Sequence, residues 1–269
     1  MAIKGVKIDN QNVQDILPLT PMQEGMLFHY LKNQDTNLYF EQLVLEFSGN
    51  SDLNIMKEAW KHVVESNEML RTLFRWEKLE RPIQIILKNY NIPIKVHNIA
   101  DLTKTEQKEM IEKIKARDLD EKIDISSAPF RLNLIELGDR RSIMIISNHH
   151  ILYDGWSNGI ILKELLETYN RLYEGLEPIK YEKNRFKEFV KWLNKRDEGQ
   201  EKEFWSNYLS GFDSKTLLPI KDDSSGEEDS ETESYFFSLT AEVKEKIDSF
   251  VKENEITAAT LLYSVWGIL

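Results

Sequence analysis

Residues 147–157 read Ser-Asn-His-His-Ile-Leu-Tyr-Asp-Gly-Trp-Ser and hold two of the chain's five histidines side by side. An imidazole is mostly neutral near pH 7, so it can take a proton from an attacking nucleophile or orient one by a hydrogen bond. Successive side chains at the end of a strand point to opposite faces. His149 and His150 are therefore expected to do different jobs, one facing a cavity while the other packs. Asp154, four residues after His150, could orient an imidazole or pair with a cation and lock the loop. Gly155 is expected to let the backbone turn tightly, and its unshielded N–H could face a developing oxyanion. A packing role stands beside this reading, because a lone histidine at a strand end is usually structural and Asp-Gly is a common turn pair. A metal site is not expected: adjacent histidines diverge, and no third imidazole or Glu-x-x-His accompanies them.

These residues need elements to hold them. Residues 141–150, RSIMIISNHH, contain a near-continuous apolar run, the pattern of a strand buried on both faces. A helix is expected after the turn, over 158–175. Upstream, Thr20-Pro21 opens a helix, with Thr as N-cap and Pro at the first helical position. Strands are expected over 38–49, in LRTLFRW (70–76), in PIQIILK (82–88) and over 129–137. The spacing of Ile55, Met56, Trp60, Val63 and Val64 predicts an amphipathic helix over 51–68. Residues 104–118 read as a charged, solvated helix, and two more helices are expected across 184–210. Residues 221–234, KDDSSGEEDSETES, read as an acidic mobile loop. YFFSLT (235–240) reads as a strand, followed by helices over 241–255 and 256–269. The chain stops at Leu269 inside an apolar helix with no cap, so that helix is expected to be cut.

Composition removes several function classes. The chain has 269 residues, 41% of them apolar and 30% charged, enough to bury a sizeable core. A net charge of -11 argues against binding to a nucleic-acid backbone or an anionic membrane. With no cysteine there is no disulfide framework, thiolate zinc site or cysteine nucleophile. No stretch approaches the length of a membrane span, and the first fifteen residues lack the apolar segment of a signal peptide. A cytoplasmic location is the expectation.

Several ordered segments carry a resemblance. HHILYDGWS is similar to the His-His-x-x-x-Asp-Gly signature of condensation domains in nonribosomal peptide synthetases. LTPMQEGMLFHYL (19–31) resembles the first core motif of that family, and NEMLRTLFRW (67–76) the second, with its Arg-Thr-x-Phe unit. KEFVKWL (187–193) and EFWSNYL (203–209) resemble the tryptophan-containing helices that follow the histidine turn. The likeness runs from about residue 14 to residue 269.

What the resemblance implies is specific. The fold would be α/β, a chloramphenicol-acetyltransferase-like lobe with a mixed sheet flanked by helices. Residues 15–178 would form the N-terminal lobe, and 179–269 the helices and truncated start of a second lobe. Residues 1–14 would be a docking segment for an upstream synthetase, or simply a frayed terminus. The activity implied is peptide-bond formation between donor and acceptor thioesters, presented on the phosphopantetheine of two peptidyl carrier proteins. No cofactor would be held covalently by this chain, and an adenylation domain would adjoin it in the parent enzyme. His150 would sit nearest the chemistry, as base or as positioner, with His149 supporting and the Gly155 N–H near the carbonyl oxygen. Asp154 would pair with Arg71, a structural role. Met22, Gln23, Trp156 and Ser157 are candidate tunnel-lining residues; the helical spacing of Met22 with Met26, Leu27 and Tyr30 reads as core packing first, and core packing is an equal alternative for Trp156. His29 is expected on the surface. The form of the first motif resembles the subtype that accepts donors ending in a D-residue.

The chain also departs from the pattern. The second motif often begins Arg-His-Glu, where this chain has Ser66-Asn67-Glu68. Phe186 stands where a tyrosine is usual, leaving that hydroxyl's role unfilled. Alternatives on the same fold are an epimerisation domain or a coenzyme-A-dependent acyltransferase; from a different class, the chain would be a non-catalytic carrier-docking lobe. The 269 residues are expected to be inactive alone, because half a tunnel cannot align two thioesters.

Overall fold

The computed structural model describes residues 9–33, 36–49, 51–214 and 235–268. The acidic run 221–234, most of the segment 1–14 and Leu269 lie outside the described residues. The chain divides into two compact units, one up to Asn207 and one from Tyr208.

Alternation organises the first unit. Its larger sheet has the order β2 (Phe40–Ser48), β7 (Arg141–His149), β6 (Phe130–Gly138), β5 (Ile94–Asn98). β7 runs antiparallel to both neighbours, and β5 joins β6 in parallel, so the sheet is mixed. Met144, Ile146, Leu132 and Leu134 belong to one core cluster, with Trp60, Val63 and Val64 of α2 (Leu53–Ser66) and Ile161 and Leu165 of α4 (Gly155–Tyr173). The intervening residues Ile143, Ile145, Ile135 and Leu137 form a second cluster with Ile114 of α3 (Lys104–Asp120). The period-two geometry of a strand thus buries both faces of β7, as its apolar run requires. Trp60 is wholly buried; its Nε1–H lies 3.0 Å from Met144 Sδ, and its ring meets Phe130 at 5.4 Å.

A smaller antiparallel sheet has the order β1 (Val13–Pro18), β4 (Ile83–Leu87), β3 (Thr72–Arg75). α1 (Pro21–Lys32) follows β1. Thr20 accepts from the Gln23 N–H and Gln23 Oε1 accepts from the Thr20 N–H, a reciprocal cap worth about 1 kcal/mol. The architecture is the mixed α/β arrangement expected, with two sheets rather than one.

Four local expectations need correction. α3 is not simply solvated: it buries Gln107, Ile114 and Asp118. Asp118 is held by Arg131, Ser147, Asn133 and Gln42. Burial alone would raise its pKa, but the hydrogen bonds from Ser147, Arg131 and Gln42 win and hold it below the usual carboxylate range. α4 begins three residues earlier than expected, because Asp154 caps it. His29 is half-buried, its ring against Phe28 and Tyr39. Residues 235–240 form no strand; they are exposed and have no ladder partner among the described residues.

After β7 and α4, the first unit continues through α5 (Phe186–Leu193) to α6 (Glu198–Tyr208), at the boundary. The second unit holds α7 (Ala241–Glu253) and α8 (Ala258–Ile268), which pack on one another and bury no side chain. None of the described helices is long and apolar enough to cross a membrane.

Candidate functional site

The histidine turn is held by backbone bonds from both sides. The His149 N–H donates to Pro129 O at 3.0 Å, and the His150 N–H donates to Tyr39 O at 2.8 Å. Phe40 lies opposite His149, and Glu41 opposite Asn148, across the β2–β7 ladder. The turn therefore projects from the best-buried strand of the molecule.

The two imidazoles separate as strand geometry dictates. His149 is 2% exposed and packs edge-on against Tyr30 at 5.5 Å, with Tyr39 at 6.0 Å. Its Nδ1 accepts from the Ile151 N–H at 3.1 Å, which places the proton of the neutral ring on Nε2. That Nε2 is buried without a partner. Burial, then the neighbouring His150, pushes the His149 pKa down to about 4, so the ring is neutral at physiological pH. The His150 side chain is 29% exposed, and its Nδ1 lies 2.7 Å from Glu41 Oε1. With Nδ1 as donor, Nε2 is the nitrogen left to accept a proton.

Asp154 does not meet Arg71. Its Oδ1 accepts from Ser157 N at 3.1 Å and Ser157 Oγ at 2.9 Å, capping α4. The bonds from Ser157 hold its carboxyl below the usual carboxylate range. Arg71 is buried, and its Nη1 donates to Gln14 Oε1 and Leu87 O. Burial lowers the Arg71 pKa. Two local demands, an unsatisfied helix end and an unsatisfied strand carbonyl, have each taken one partner of the expected pair.

Gly155 also differs from expectation. It is the first residue of α4, it has no positive φ, and a Cβ there would meet nothing within 4 Å. The turn does not require glycine for conformational reasons. As the first helical residue, its N–H is among those that α4 cannot satisfy internally, so it remains available to an acceptor.

The remaining candidates split. Gln23 is buried, and its Nε2 donates to Ile151 O and Gln84 Oε1, both at 3.3 Å, which ties α1 to the turn. Met22 is 71% exposed and Trp156 is 88% exposed. Neither is a core residue, which removes the packing alternative for Trp156. Ser157 is half-buried beside Asp154. A cavity of about 840 Å³ lies beside the turn, with Gln23, Arg71, Tyr153, Asp154, Ser157 and Phe186 in its wall. A second, of about 290 Å³, is walled by Tyr30, Phe40, Trp76 and His149. His150 lines neither.

Three residues matter here that sequence reasoning did not single out or left without a role. Glu41 contacts His150 directly. Asn67 is buried, donating to Val63 O and Glu164 Oε2 and accepting from Lys183 Nζ. Glu68 accepts from Gln14 Nε2 and from the Phe186 N–H, anchoring the segment that walls the larger cavity. Phe186 keeps the ring of the usual tyrosine, packed with Leu17, Ile86 and Val190. Only long-range folding brings these groups together, and no local motif marks them.

Comparison with known proteins gives a consistent result. Residues 13–269 match the Condensation domain family. The chain is 32% identical over 264 residues to tyrocidine synthase 2 of Brevibacillus parabrevis, covering 96% of this chain and 7% of that protein. It is 32% identical over 258 residues to bacitracin synthase 1 of Bacillus licheniformis, covering 96% of this chain and 5% of that one. It thus spans a small fraction of the length of these relatives. In fold it is similar to the starter condensation domain of rhizomide synthetase, with a TM-score of 0.68 at 14% identity over 75% of this chain and 49% of that one. The first condensation domain of the calcium-dependent antibiotic synthetase aligns with a TM-score of 0.63 at 16% identity, over 74% of this chain and 50% of that one.

Proposed function

We propose that this chain, which belongs to the condensation-domain family, supplies the histidine-bearing lobe of an enzyme that joins two carrier-bound thioesters of a nonribosomal peptide synthetase. The observation that carries the reading is the divergence of the two histidines. One is locked, neutral and buried; the other is solvent-accessible at the end of a rigid strand, with Nε2 free to accept.

In the reaction, the acceptor amine attacks the donor thioester carbonyl carbon, forming a C–N bond and a tetrahedral oxyanion. One proton leaves the nitrogen. The oxyanion's electron pair then re-forms the carbonyl, the C–S bond breaks, and the thiolate takes up a proton to leave a free thiol on the donor carrier. His150 either receives the nitrogen's proton on Nε2 or holds the amine by a hydrogen bond. An α-amino group has a pKa of about 8, so free amine is present without a base, and positioning can supply much of the acceleration. The Gly155 N–H, unsatisfied at the start of α4, is placed in the role of oxyanion donor. His149 supports the turn. Asp154 acts as the cap of α4, and Arg71 as a strand anchor. Gln23 and Ser157 border the tunnel, and Met22 and Trp156 face outward from the same region.

The substrates arrive on phosphopantetheine arms of donor and acceptor carrier proteins, with an adjoining adenylation domain charging the acceptor. The solved condensation domains of this fold align over only about half of their length, so this chain is read as one side of the tunnel and is expected to be inactive alone. The test is peptide formation between two loaded carriers, followed by intact mass. It compares this chain, a version extended through the second lobe, and the extended version carrying His150→Ala. Product from the extended wild type alone supports the reading. Equal activity of the extended His150→Ala variant would overturn it.

A further inference from the structure

Building on that reading of His150, we infer that Glu41 is its positioning residue: the Glu41 carboxylate fixes the imidazole in the Nδ1–H form and aims Nε2 at the acceptor amine. Glu41 sits on β2, across the ladder from Asn148. Its Oε1 is 2.7 Å from His150 Nδ1. Its Oε2 accepts from Asn148 Nδ2 at 3.3 Å, and Asn148 Oδ1 in turn accepts from the Tyr153 hydroxyl at 3.0 Å. Both carboxylate oxygens are thus engaged, and the second is tied to residues of the turn itself. The His150 N–H donates to the carbonyl of Tyr39, the residue just before β2, so the start of this strand and its lead-in hold the residue by side chain and by backbone.

The other carboxylate near the turn is committed elsewhere. Asp154 Oδ1 receives Ser157 N and Oγ. An imidazole free in water favours the proton on Nε2, the form in which that nitrogen cannot accept. Which ring nitrogen carries the proton is set by the bond the other makes. A carboxylate on Nδ1 therefore selects the form that leaves Nε2 as acceptor, the logic of a carboxylate-oriented base. Orientation and tautomer come from β2, not from the motif that contains the histidines.

The first arm of the test needs no activity. Nitrogen-15 NMR of the imidazoles is recorded on this chain at pH 8, with the His150 signals assigned from a His150→Gln variant. Wild type should show a protonated Nδ1 and an unprotonated Nε2. Glu41→Ala should move the majority form to Nε2–H, and Glu41→Gln, whose amide oxygen still accepts, should keep the Nδ1–H form. The second arm uses the extended enzyme. Glu41→Ala should lower kcat about tenfold, the low end for an outer partner that orients a reacting group, with KM for both loaded carriers within about twofold. Glu41→Gln should recover kcat to within about threefold of wild type. An unchanged tautomer in Glu41→Ala, a change confined to KM, or a Gln variant as slow as Ala would each overturn the assignment. Full activity of His150→Ala would sink the role given to His150, while the NMR arm would still decide whether Glu41 holds the ring.

Discussion

Replacing His149 by Asn should remove a defined part of the acid sensitivity of the fold. The His149 pKa is pushed from 6.5 to about 4, chiefly by burial between the tyrosines. The sign follows from proton binding: between these values the unfolded chain holds a proton that the folded chain does not. The stability associated with neutral His149 is therefore complete above about pH 6.5 and is lost as pH falls towards 4. That depression, from 6.5 to about 4, corresponds to about 3 kcal/mol in total, and about 2 kcal/mol of it is lost between pH 7 and pH 5. His149→Asn keeps an oxygen that can accept from the Ile151 N–H but has nothing to titrate. The assay is urea unfolding followed by circular dichroism, on both proteins, at half-unit steps from pH 7 to pH 5. Taking the difference between them cancels the carboxylates, which titrate alike in both. The variant should be less stable at pH 7, because the side chain is smaller, and the gap should close by about 2 kcal/mol at pH 5. A constant gap across the range would show that His149 titrates alike in both states, and would refute the account of a neutral, buried ring.

Three further outcomes follow from named contacts. Asp154→Ala should cost about 1 kcal/mol as a lost helix cap, and in a double-mutant cycle with Arg71→Met its coupling should stay below about 0.5 kcal/mol; a larger coupling would mean that Asp154 and Arg71 are paired after all. Gly155→Ala should leave the melting temperature of this chain unchanged or raised, with a stability gain of up to about 1 kcal/mol, since a Cβ there meets open space; a cooperative loss of stability would contradict this. Asp118→Asn should cost about 3 to 5 kcal/mol, because it leaves the buried Arg131 guanidinium without its carboxylate; urea midpoints would measure it, and a loss under 1 kcal/mol would mean that the amide satisfies the network equally well.

The elements legible in the sequence are those whose pattern is local. The apolar run of β7 can only be a doubly covered strand, and the spacing of Met56, Trp60 and Val63 can only serve a helix with one buried face. Thr20-Pro21 and the Gln three residues after Thr20 state their own cap. β1 escaped notice because Val13–Pro18 lacks period-two alternation, its polar residues Gln14 and Asp15 being adjacent, and it becomes a strand only by pairing with β4, distant in the chain. β5 is a short edge strand whose order comes from β6. The reverse error came at 235–240, where β-prone aromatics have no partner to ladder with. In the site, the divergence of the two histidines follows from the strand period and was foreseen. The competition for Arg71 and Asp154 was not, because it depends on which backbone groups the fold leaves unsatisfied nearby. Glu41 was invisible for the same reason: its meaning depends on the register of β2 against β7.

That register has a consequence for how the turn can move. The His149 and His150 amides close the last rungs of a sheet whose central strand is buried along nearly its whole length. There is no hinge between that sheet and the imidazoles. Opening the turn means unpeeling the ends of β6 and β2 from β7, so its amides should exchange with solvent on the time scale of sheet opening, and those of Asp154 to Trp156 much sooner. On the role proposed for His150, positional precision and thermodynamic stability are then one property at this point of the molecule. A core substitution far from His150 that loosens β7 is expected to widen the range of positions its Nε2 visits, so the activity of the extended enzyme is expected to decay with temperature before it unfolds.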